Sequence, residues 1–170
     1  KSDAKLTSMV SRSLASVGVT YKPVVVVSAE ERVIDACQLL YEMKLSVLAI
    51  VEPKTFKMVD EFSTKDLKYI YRARNVGLFR RKVLQGVKEI RTRMVAETIA
   101  KSKLHGSELS PGEIDSLPFS TITLHDSIHL AVMKMLATKS SNLWVLDKRR
   151  IPVGVVTGTD LIRLLCPVMY

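Results

Sequence analysis

The feature of this sequence that most restricts its fold is an internal repeat. Ser28–Glu31 is matched 95 residues later by Thr123–Asp126. The string Ser63–Leu67 is matched 94 residues later by Thr157–Leu161, so one residue is lost between the two matches. The same signals in the same order predict two copies of one supersecondary unit.

Each copy shows the same order of predicted elements: helix, strand, helix, strand, turn, strand, helix. Apolar residues at helical spacing predict the opening helices: Leu6, Met9, Val10, Leu14 and Val17 in the first copy, and Val83, Val87, Ile90, Met94 and Val95 in the second. Apolar runs predict strands at Val24–Val27, Ser46–Val51, Met58–Phe62, Phe119–Leu124, Asn142–Leu146 and Ile151–Val156. Closing helices are expected at Asp66–Tyr71 and Asp160–Leu165.

The middle helix of each copy has a candidate start signal. Ser28 with Glu31 has the form of a capping box, in which the N-cap hydroxyl and the acid three residues later bond each other's backbone amides. Thr123 with Asp126 is a weaker analogue of the same signal.

These patterns predict an α+β fold of two tandem β-α-β-β-α domains, each preceded by a helix. We expect domain 1 at 1–75 with its N-terminal helix, and domain 2 at 76–170 with a basic connecting helix and a loop at 106–116. A unit of this size cannot bury both faces of its sheet alone, so the two domains are expected to pack as a pseudo-twofold pair.

The net charge of +9 lies in one segment. Residues 65–103 contain twelve basic and three acidic side chains, and the rest of the chain is neutral. Three interpretations of the part at 72–93 remain open: a solvated outer helix face, a surface for nucleic acid or another anionic partner, and bases that reach ligand phosphates.

The sequence lacks the short motifs that are typical of several classes of enzyme and metal-binding protein. No phosphate-binding G-x-x-x-x-G-K-S/T loop, G-x-S-x-G elbow, C-x-x-C or H-E-x-x-H motif is present, so we expect neither catalysis nor a metal site. Cys37 and Cys166 are expected to be reduced and buried, and the apolar runs are too short for a membrane span. We therefore expect an intracellular, cytoplasmic setting. The chain begins with Lys1, which indicates a piece of a longer protein.

The repeated endings resemble those of the cystathionine-beta-synthase (CBS) domain, which occurs as tandem pairs called Bateman modules. Gly154–Ile162 is similar to the family's strand-to-helix ending of glycine, two apolar residues, Ser or Thr, two residues and Asp. Val59–Leu67 is similar to the same ending, with Asp60 at the glycine position.

The resemblance implies a regulatory module, without catalysis or a required cofactor, that binds AMP, ADP, ATP or S-adenosylmethionine in clefts between the two domains. It places Ser63 and Asp66 at one cleft and Thr157 and Asp160 at the other. A carboxylate can accept two hydrogen bonds from a ribose cis-diol, and a hydroxyl at a helix N-terminus suits phosphate.

Further contacts follow from the same resemblance. Lys65 stands where some kinase-regulatory relatives have a phosphate-facing base, and Thr159 holds that place in the second copy. The first strand of the opposite domain is expected to contact adenine, through Val25 and Val26 at the Asp160 cleft and through Thr121 and Ile122 at the Asp66 cleft.

Two departures from the family pattern affect this interpretation. Ser46-Val47 and Ser141-Asn142 stand where nucleotide-sensing relatives often have His or Arg. Asp60 could crowd the first cleft, so we expect the Asp160 cleft to be better formed.

Alternatives remain open at each motif. The Ser/Thr and Asp residues can be simple helix caps, and the chain can be a ligand-free interaction or dimerisation module that contacts nucleic acid through 72–93. In either case we expect a homodimer that buries the helices after Asp66 and Asp160. The regulated partner is expected to be an enzyme, transporter or kinase.

Overall fold

The computed structural model of the chain describes residues 10–18, 24–105 and 119–165. These residues belong to two compact units. The central unit is Val25–Pro118, and the terminal unit combines Lys1–Val24 with Phe119–Tyr170. The loop predicted at 106–116 lies outside the described residues.

The described residues of the central unit form one three-stranded sheet and three α-helices. Its elements are β1 (Val26–Ser28), α1 (Val33–Glu42), β2 (Val47–Val51), β3 (Met58–Ser63), α2 (Thr64–Arg72), a 3₁₀ helix (Val76–Arg80) and α3 (Val83–His105). The sheet has the order β1-β2-β3, with β1 parallel and β3 antiparallel to β2.

The terminal unit has the same sheet topology. Its elements are a 3₁₀ helix (Ala15–Val17), β4 (Thr121–Ile122), α4 (Ile128–Thr138), β5 (Asn142–Leu146), β6 (Pro152–Thr157) and α5 (Gly158–Leu165). The order is β4-β5-β6, again parallel and then antiparallel. The α+β fold with two β-α-β-β-α copies is therefore confirmed.

The two sheets share a shift of strand register, and this shift lies next to the place where the two copies differ in length by one residue. The strand register shifts between Ile50 and Val51 in one sheet and between Val145 and Leu146 in the other. The turn after this shift is one residue longer in the central unit than in the terminal unit. The change of repeat spacing seen in the sequence therefore falls in a surface turn and leaves the strands intact.

The predicted starts of the middle helices are wrong by several residues. In the central unit α1 begins after Arg32, whose backbone N–H donates to Asp35 Oδ2 at 3.1 Å. Ser28 Oγ instead accepts the N–H of Glu30 at 3.3 Å, which closes a turn. The reason is a β-bridge between Arg32 and Lys82, which holds the residues before α1 in an extended conformation.

The terminal unit repeats this arrangement. Ser127, whose side chain accepts the N–H of Leu130, is the N-cap of α4. Ser127 also bridges to Ser13, as Arg32 bridges to Lys82. In each unit, the residue just before the middle helix thus pairs with the segment that opens the other copy of the repeat. Because of this pairing, each compact unit combines residues from both copies of the repeat. The domain boundary predicted at 75/76 divides the chain by its repeat instead, and it stays a prediction.

Each unit has its own hydrophobic core. In the central core Val83, Val87 and Ile90 of α3 pack with the sheet and α1, as their helical spacing predicts. Met94, assigned to the same stripe, is 41% exposed, because α3 extends beyond this core. Leu14 is fully buried in the core of the terminal unit. Among the described residues, no helix combines the length and apolar character needed to cross a membrane.

Candidate functional site

The two Ser/Thr-x-x-Asp motifs lie at equivalent strand-to-helix junctions. Ser63 ends β3 directly before α2, and its backbone N–H and its hydroxyl both donate to Asp66 Oδ2 at 2.7 Å. Thr157 ends β6 directly before α5, and its N–H and hydroxyl donate to Asp160 Oδ2 at 3.0 and 2.6 Å. The same local structure therefore forms twice.

Backbone hydrogen bonds fix each junction to the neighbouring strand. The N–H of Thr64 donates to the carbonyl of Ser46 at 3.0 Å, and the N–H of Gly158 donates to the carbonyl of Ser141 at 3.3 Å. Ser46 and Ser141 belong to the two residue pairs that depart from the His or Arg that the resemblance implies. Here their backbones position the first turn of the closing helix.

Both motif carboxylates are buried although they are polar. Each lies in the first turn of a helix, where the partial positive charge of the helix N-terminus favours an anion. The capping role that the sequence left open is thus present in the structure. Within the described part of the chain, the hydrogen bonds that Asp66 accepts fall on Oδ2 alone, so its Oδ1 can accept a bond from a ligand hydroxyl.

The residues expected to face phosphate are accessible. Lys65 and Thr159 are both exposed in the first turn of their helices. Lys65 makes no ion pair with any residue that the structure describes. Its ammonium group is therefore available to an anion.

The four residues expected to contact adenine lie in or beside the first strands. Val25 precedes β1, Val26 begins it, and both are half-buried. Thr121 is half-buried, and its carbonyl accepts a hydrogen bond from Lys134 Nζ at 2.9 Å. The side chain of Ile122 packs in the core of the terminal unit, so only its backbone can meet a ligand.

Asp60, at the family's glycine position, forms a buried ion pair. Its Oδ1 lies 2.5 Å from Arg91 Nη1 of α3, and Arg91 Nη2 donates to the carbonyl of Glu61 at 3.2 Å. Burial raises the pKa of the Asp60 carboxyl, while Arg91 and the N–H of Glu61 act to lower this pKa. Asp60 therefore joins β3 to α3.

The basic segment divides into paired and unpaired side chains. Four bases make ion pairs within the central unit: Arg72 with Glu97, Lys82 with Glu30, Arg91 with Asp60, and Arg93 with Glu89. Six others are exposed and make no ion pair with the described residues: Lys65, Lys68, Arg74, Arg80, Arg81 and Lys88.

Two contacts near the motifs were not predicted from the sequence. Asp60 was identified only as a departure from glycine, and its partner Arg91 lies 31 residues away with no signal that links them. Lys134 occupies a position that matches Leu39 in the repeat. The contact of Lys134 could have been predicted from this change, because a lysine takes the place of a leucine in an amphipathic helix.

No metal site is visible in the part of the chain that the structure describes, where no three His, Cys, Asp or Glu side chains are grouped to hold an ion. His125 and His129 are both exposed.

Comparisons with known proteins agree with this architecture. Residues 112–166 match the family model of the CBS domain. The chain is 26% identical over 136 residues to protein sds23 of Aspergillus niger, a match that covers 80% of this chain and 24% of sds23. The chain thus spans about a quarter of the length of this curated relative.

Solved structures share the fold across most of the chain. CBS domain protein PAE2072 from Pyrobaculum aerophilum, complexed with AMP, superposes with a TM-score of 0.63 at 13% identity, covering 88% of this chain and 89% of that one. The CBS domain pair of protein MJ0100, in complex with 5′-methylthioadenosine and S-adenosyl-L-methionine, gives 0.59 at 15% identity, covering 90% and 94%. At these identities the likeness concerns the fold.

Proposed function

We propose that this chain is a tandem pair of CBS domains that acts as a regulatory module and binds an adenosine-containing ligand. Residues 112–166 match the CBS domain model, and the fold is that of solved CBS domain proteins. The candidate ligands are AMP, ADP, ATP and S-adenosylmethionine. Two neighbours of the same fold were solved with ligands of this chemical class, AMP in one and S-adenosyl-L-methionine in the other.

The observation that carries the proposal is the paired junction geometry. At each junction a buried carboxylate stands beside a Ser or Thr hydroxyl at the N-terminus of a helix. Asp66 and Asp160 are assigned to the ribose hydroxyls, and Ser63 and Thr157 to the ribose or phosphate. A rigid carboxylate held by its own cap loses little entropy when it binds a diol, which favours recognition.

Lys65 is assigned to a ligand phosphate, since it is exposed and unpaired within the described chain. Val25, Val26, Thr121 and Ile122 are assigned to the adenine base, with Ile122 acting through its backbone. No catalytic role is assigned to any residue. Ligand binding is proposed to favour one arrangement of the module and so to bias an attached or partner protein.

The proposed assembly is a homodimer, and the proposed target is an enzyme, transporter or kinase. Since the chain matches only a quarter of sds23, further domains of a whole protein would carry the regulated activity. Sedimentation velocity tests the homodimer directly.

The ligand proposal is tested by thermal shift and calorimetry with AMP, ADP, ATP and S-adenosylmethionine at millimolar concentration. Stabilisation by at least one of them is expected, because a ligand that binds only the folded state raises its melting temperature. No stabilisation by any of the four would refute the proposal.

Matched variants separate ligand binding from capping. Asp160→Ala is expected to weaken binding more than Asp66→Ala, as the sequence ranking of the clefts requires. The controls are Asp126→Ala and Asp35→Ala, which remove carboxylates that accept backbone N–H groups outside the motifs. The controls are expected to lower the melting temperature and to keep the shift caused by the ligand.

The second candidate is a ligand-free interaction module that contacts nucleic acid through 72–93. The exposed unpaired bases Arg74, Arg80, Arg81 and Lys88 favour an anionic partner of some kind. Binding of RNA or DNA that falls steeply with salt would support this candidate. Absence of binding at low salt would remove nucleic acid from consideration.

A further inference from the structure

The open edge of β4 carries a lysine contact. β4 lies at one edge of its sheet, in the order β4-β5-β6. The N–H of Trp144 in β5 donates to the carbonyl of Ser120 at 2.9 Å. Because successive carbonyls of a strand point to opposite sides, the next carbonyl, that of Thr121, faces the open edge. There it accepts a hydrogen bond from Lys134 Nζ of α4 at 2.9 Å.

The repeat offers an internal comparison for this contact. Thr121 of β4 matches Val26 of β1 at a spacing of 95 residues, and the two hold equivalent positions in the register of their sheets. Lys134 matches Leu39 of α1 at the same spacing. No side chain of the described residues donates to the Val26 carbonyl, and Leu39 has no donor group to offer it. The edge of β1 therefore presents an acceptor, whereas the edge of β4 presents an ammonium group.

The Lys134 ammonium group has hydrogen-bonding capacity to spare. It carries three N–H donors, and the Thr121 carbonyl takes one of them. Lys134 is half-buried, and it makes no ion pair with any residue that the structure describes. Since burying a charge is costly unless it is paired, an acceptor that a ligand brings to this ammonium group would be bound favourably.

Purine bases differ in what they present to such a cation. Adenine has an amino group at C6, which donates hydrogen bonds, beside the acceptor N7. Guanine and hypoxanthine have an oxygen at C6, so their O6 and N7 form a pair of neighbouring acceptors. Lysine recognises the O6 and N7 of guanine, whereas the amino group of adenine requires a partner that accepts.

We propose that the purine bound at β4 is a 6-oxopurine, guanine or hypoxanthine, whose O6 and N7 accept hydrogen bonds from Lys134. The proposal rests on the proposed function, from which it takes the assignment of Thr121 to the base of a nucleotide. It changes only the base that is recognised at this strand. The purine bound at β1 is still adenine, because the Val26 carbonyl can accept from the amino group at C6. The two copies of the repeat would then recognise two classes of purine.

Two other roles of Lys134 lead to different results. A lysine at the edge of a sheet hinders pairing with strands of other chains, and this role involves no ligand. An ammonium group that met a ligand phosphate would act equally on nucleotides with the same phosphate. IMP and AMP distinguish these roles from base recognition, because they share ribose and phosphate and differ in the base alone.

The test is isothermal titration calorimetry of the full chain with IMP and with AMP. The unsubstituted chain is expected to bind IMP. Lys134→Leu introduces the residue that stands at the matching position of α1, and it is expected to weaken IMP binding by about tenfold. The affinity for AMP is expected to stay the same or to rise, because the substitution removes a cation from beside the amino group.

Further variants control for charge and folding. Lys148→Leu removes an exposed lysine from the turn after β5 and is expected to bind both nucleotides as the unsubstituted chain does. Lys134→Arg keeps a cation with several donors and is expected to retain the preference for IMP. Thermal melting followed by circular dichroism checks that each variant is folded. If Lys134→Leu does not fold, Lys134→Met, which keeps an unbranched stem, takes its place.

The outcomes separate this inference from the proposed function. If AMP binds and IMP does not, or if Lys134→Leu changes neither affinity, the 6-oxopurine assignment is wrong and the proposed function stands. An equal loss of IMP and AMP binding would assign Lys134 to the phosphate and would also overturn the inference. No binding of any nucleotide would refute both.

Discussion

Arg91→Ala is expected to destabilise the central unit far more than removal of the exposed charge of Arg93 from α3. The Asp60 side chain is 5% exposed and that of Arg91 is 27% exposed. Without Arg91, Asp60 keeps the N–H of Glu61 as a partner, at 2.7 Å, but loses its counter-charge. Removing one member of a buried ion pair costs about 3–5 kcal/mol. Because Arg91 is partly exposed, the expected loss lies at or below the lower end of this range, at about 2–3 kcal/mol.

The cost is expected to depend on pH. Burial raises the pKa of Asp60 above its unfolded value, and Arg91 opposes that increase. The variant therefore has a still higher pKa at Asp60, and its folded state takes up a proton more readily than its unfolded state as the pH falls. Protonation removes the unpaired charge, so the loss of stability is expected to shrink between pH 7 and pH 5.

Urea unfolding followed by far-UV circular dichroism at both pH values measures these losses. Arg93→Ala is the matched control, because Arg93 pairs with Glu89 one turn earlier on the exposed surface of α3. Its expected cost is about 0.3–0.5 kcal/mol. Equal costs for Arg91→Ala and Arg93→Ala, or a loss at Arg91 that does not change with pH, would refute the reasoning.

Two other predictions follow from close packing and burial. Gly86→Ala is expected to cost about 1–3 kcal/mol in urea unfolding, because an added Cβ would lie 2.6 Å from Val33 Cγ2. Gly158→Ala, where a Cβ meets nothing within 4 Å, is expected to be neutral or stabilising; equal losses at the two sites would contradict this. Burial raises the pKa of Cys37 to about 11, so in a Cys166→Ser background alkylation at pH 8 should be many times slower in the folded protein than in urea.

Local patterns in the sequence identified most of the secondary structure. The predicted strand Asn142–Leu146 agrees with β5 as found, and the closing helices begin within two residues of their predicted starts. These elements depend on apolar spacing and on a cap within a few residues, which a sequence displays directly.

Features set by distant residues were not predictable in the same way. The start of α1 depends on a bridge between Arg32 and Lys82, so the nearer signal at Ser28 was misleading. Contacts between distant residues also decide which parts of the chain belong to each compact unit. At the candidate site, the sequence identified the motif residues and their carboxylate chemistry, but the pairing of Asp60 with Arg91 needed the fold.

Helix α2 carries the candidate ligand site of the central unit at its start and is tied to α3 near its end. It has nine residues, or about 13 Å at the usual rise per residue, with Ser63 and Asp66 at its first turn and Tyr71 at its last. The Tyr69 hydroxyl donates to Glu97 of α3 at 2.7 Å, so the end of α2 is fastened to α3.

The hydrogen bond between Tyr69 and Glu97 offers a route by which ligand binding at α2 could affect α3. Arg91 joins α3 to β3, and Glu97 joins α3 to α2, so the strand, the motif junction and the two helices belong to one connected framework. A ligand bound at Asp66 would then act on a helix that is tied to α3 and, through Arg91, to β3. The paired bases of the basic segment thus help to hold this framework together.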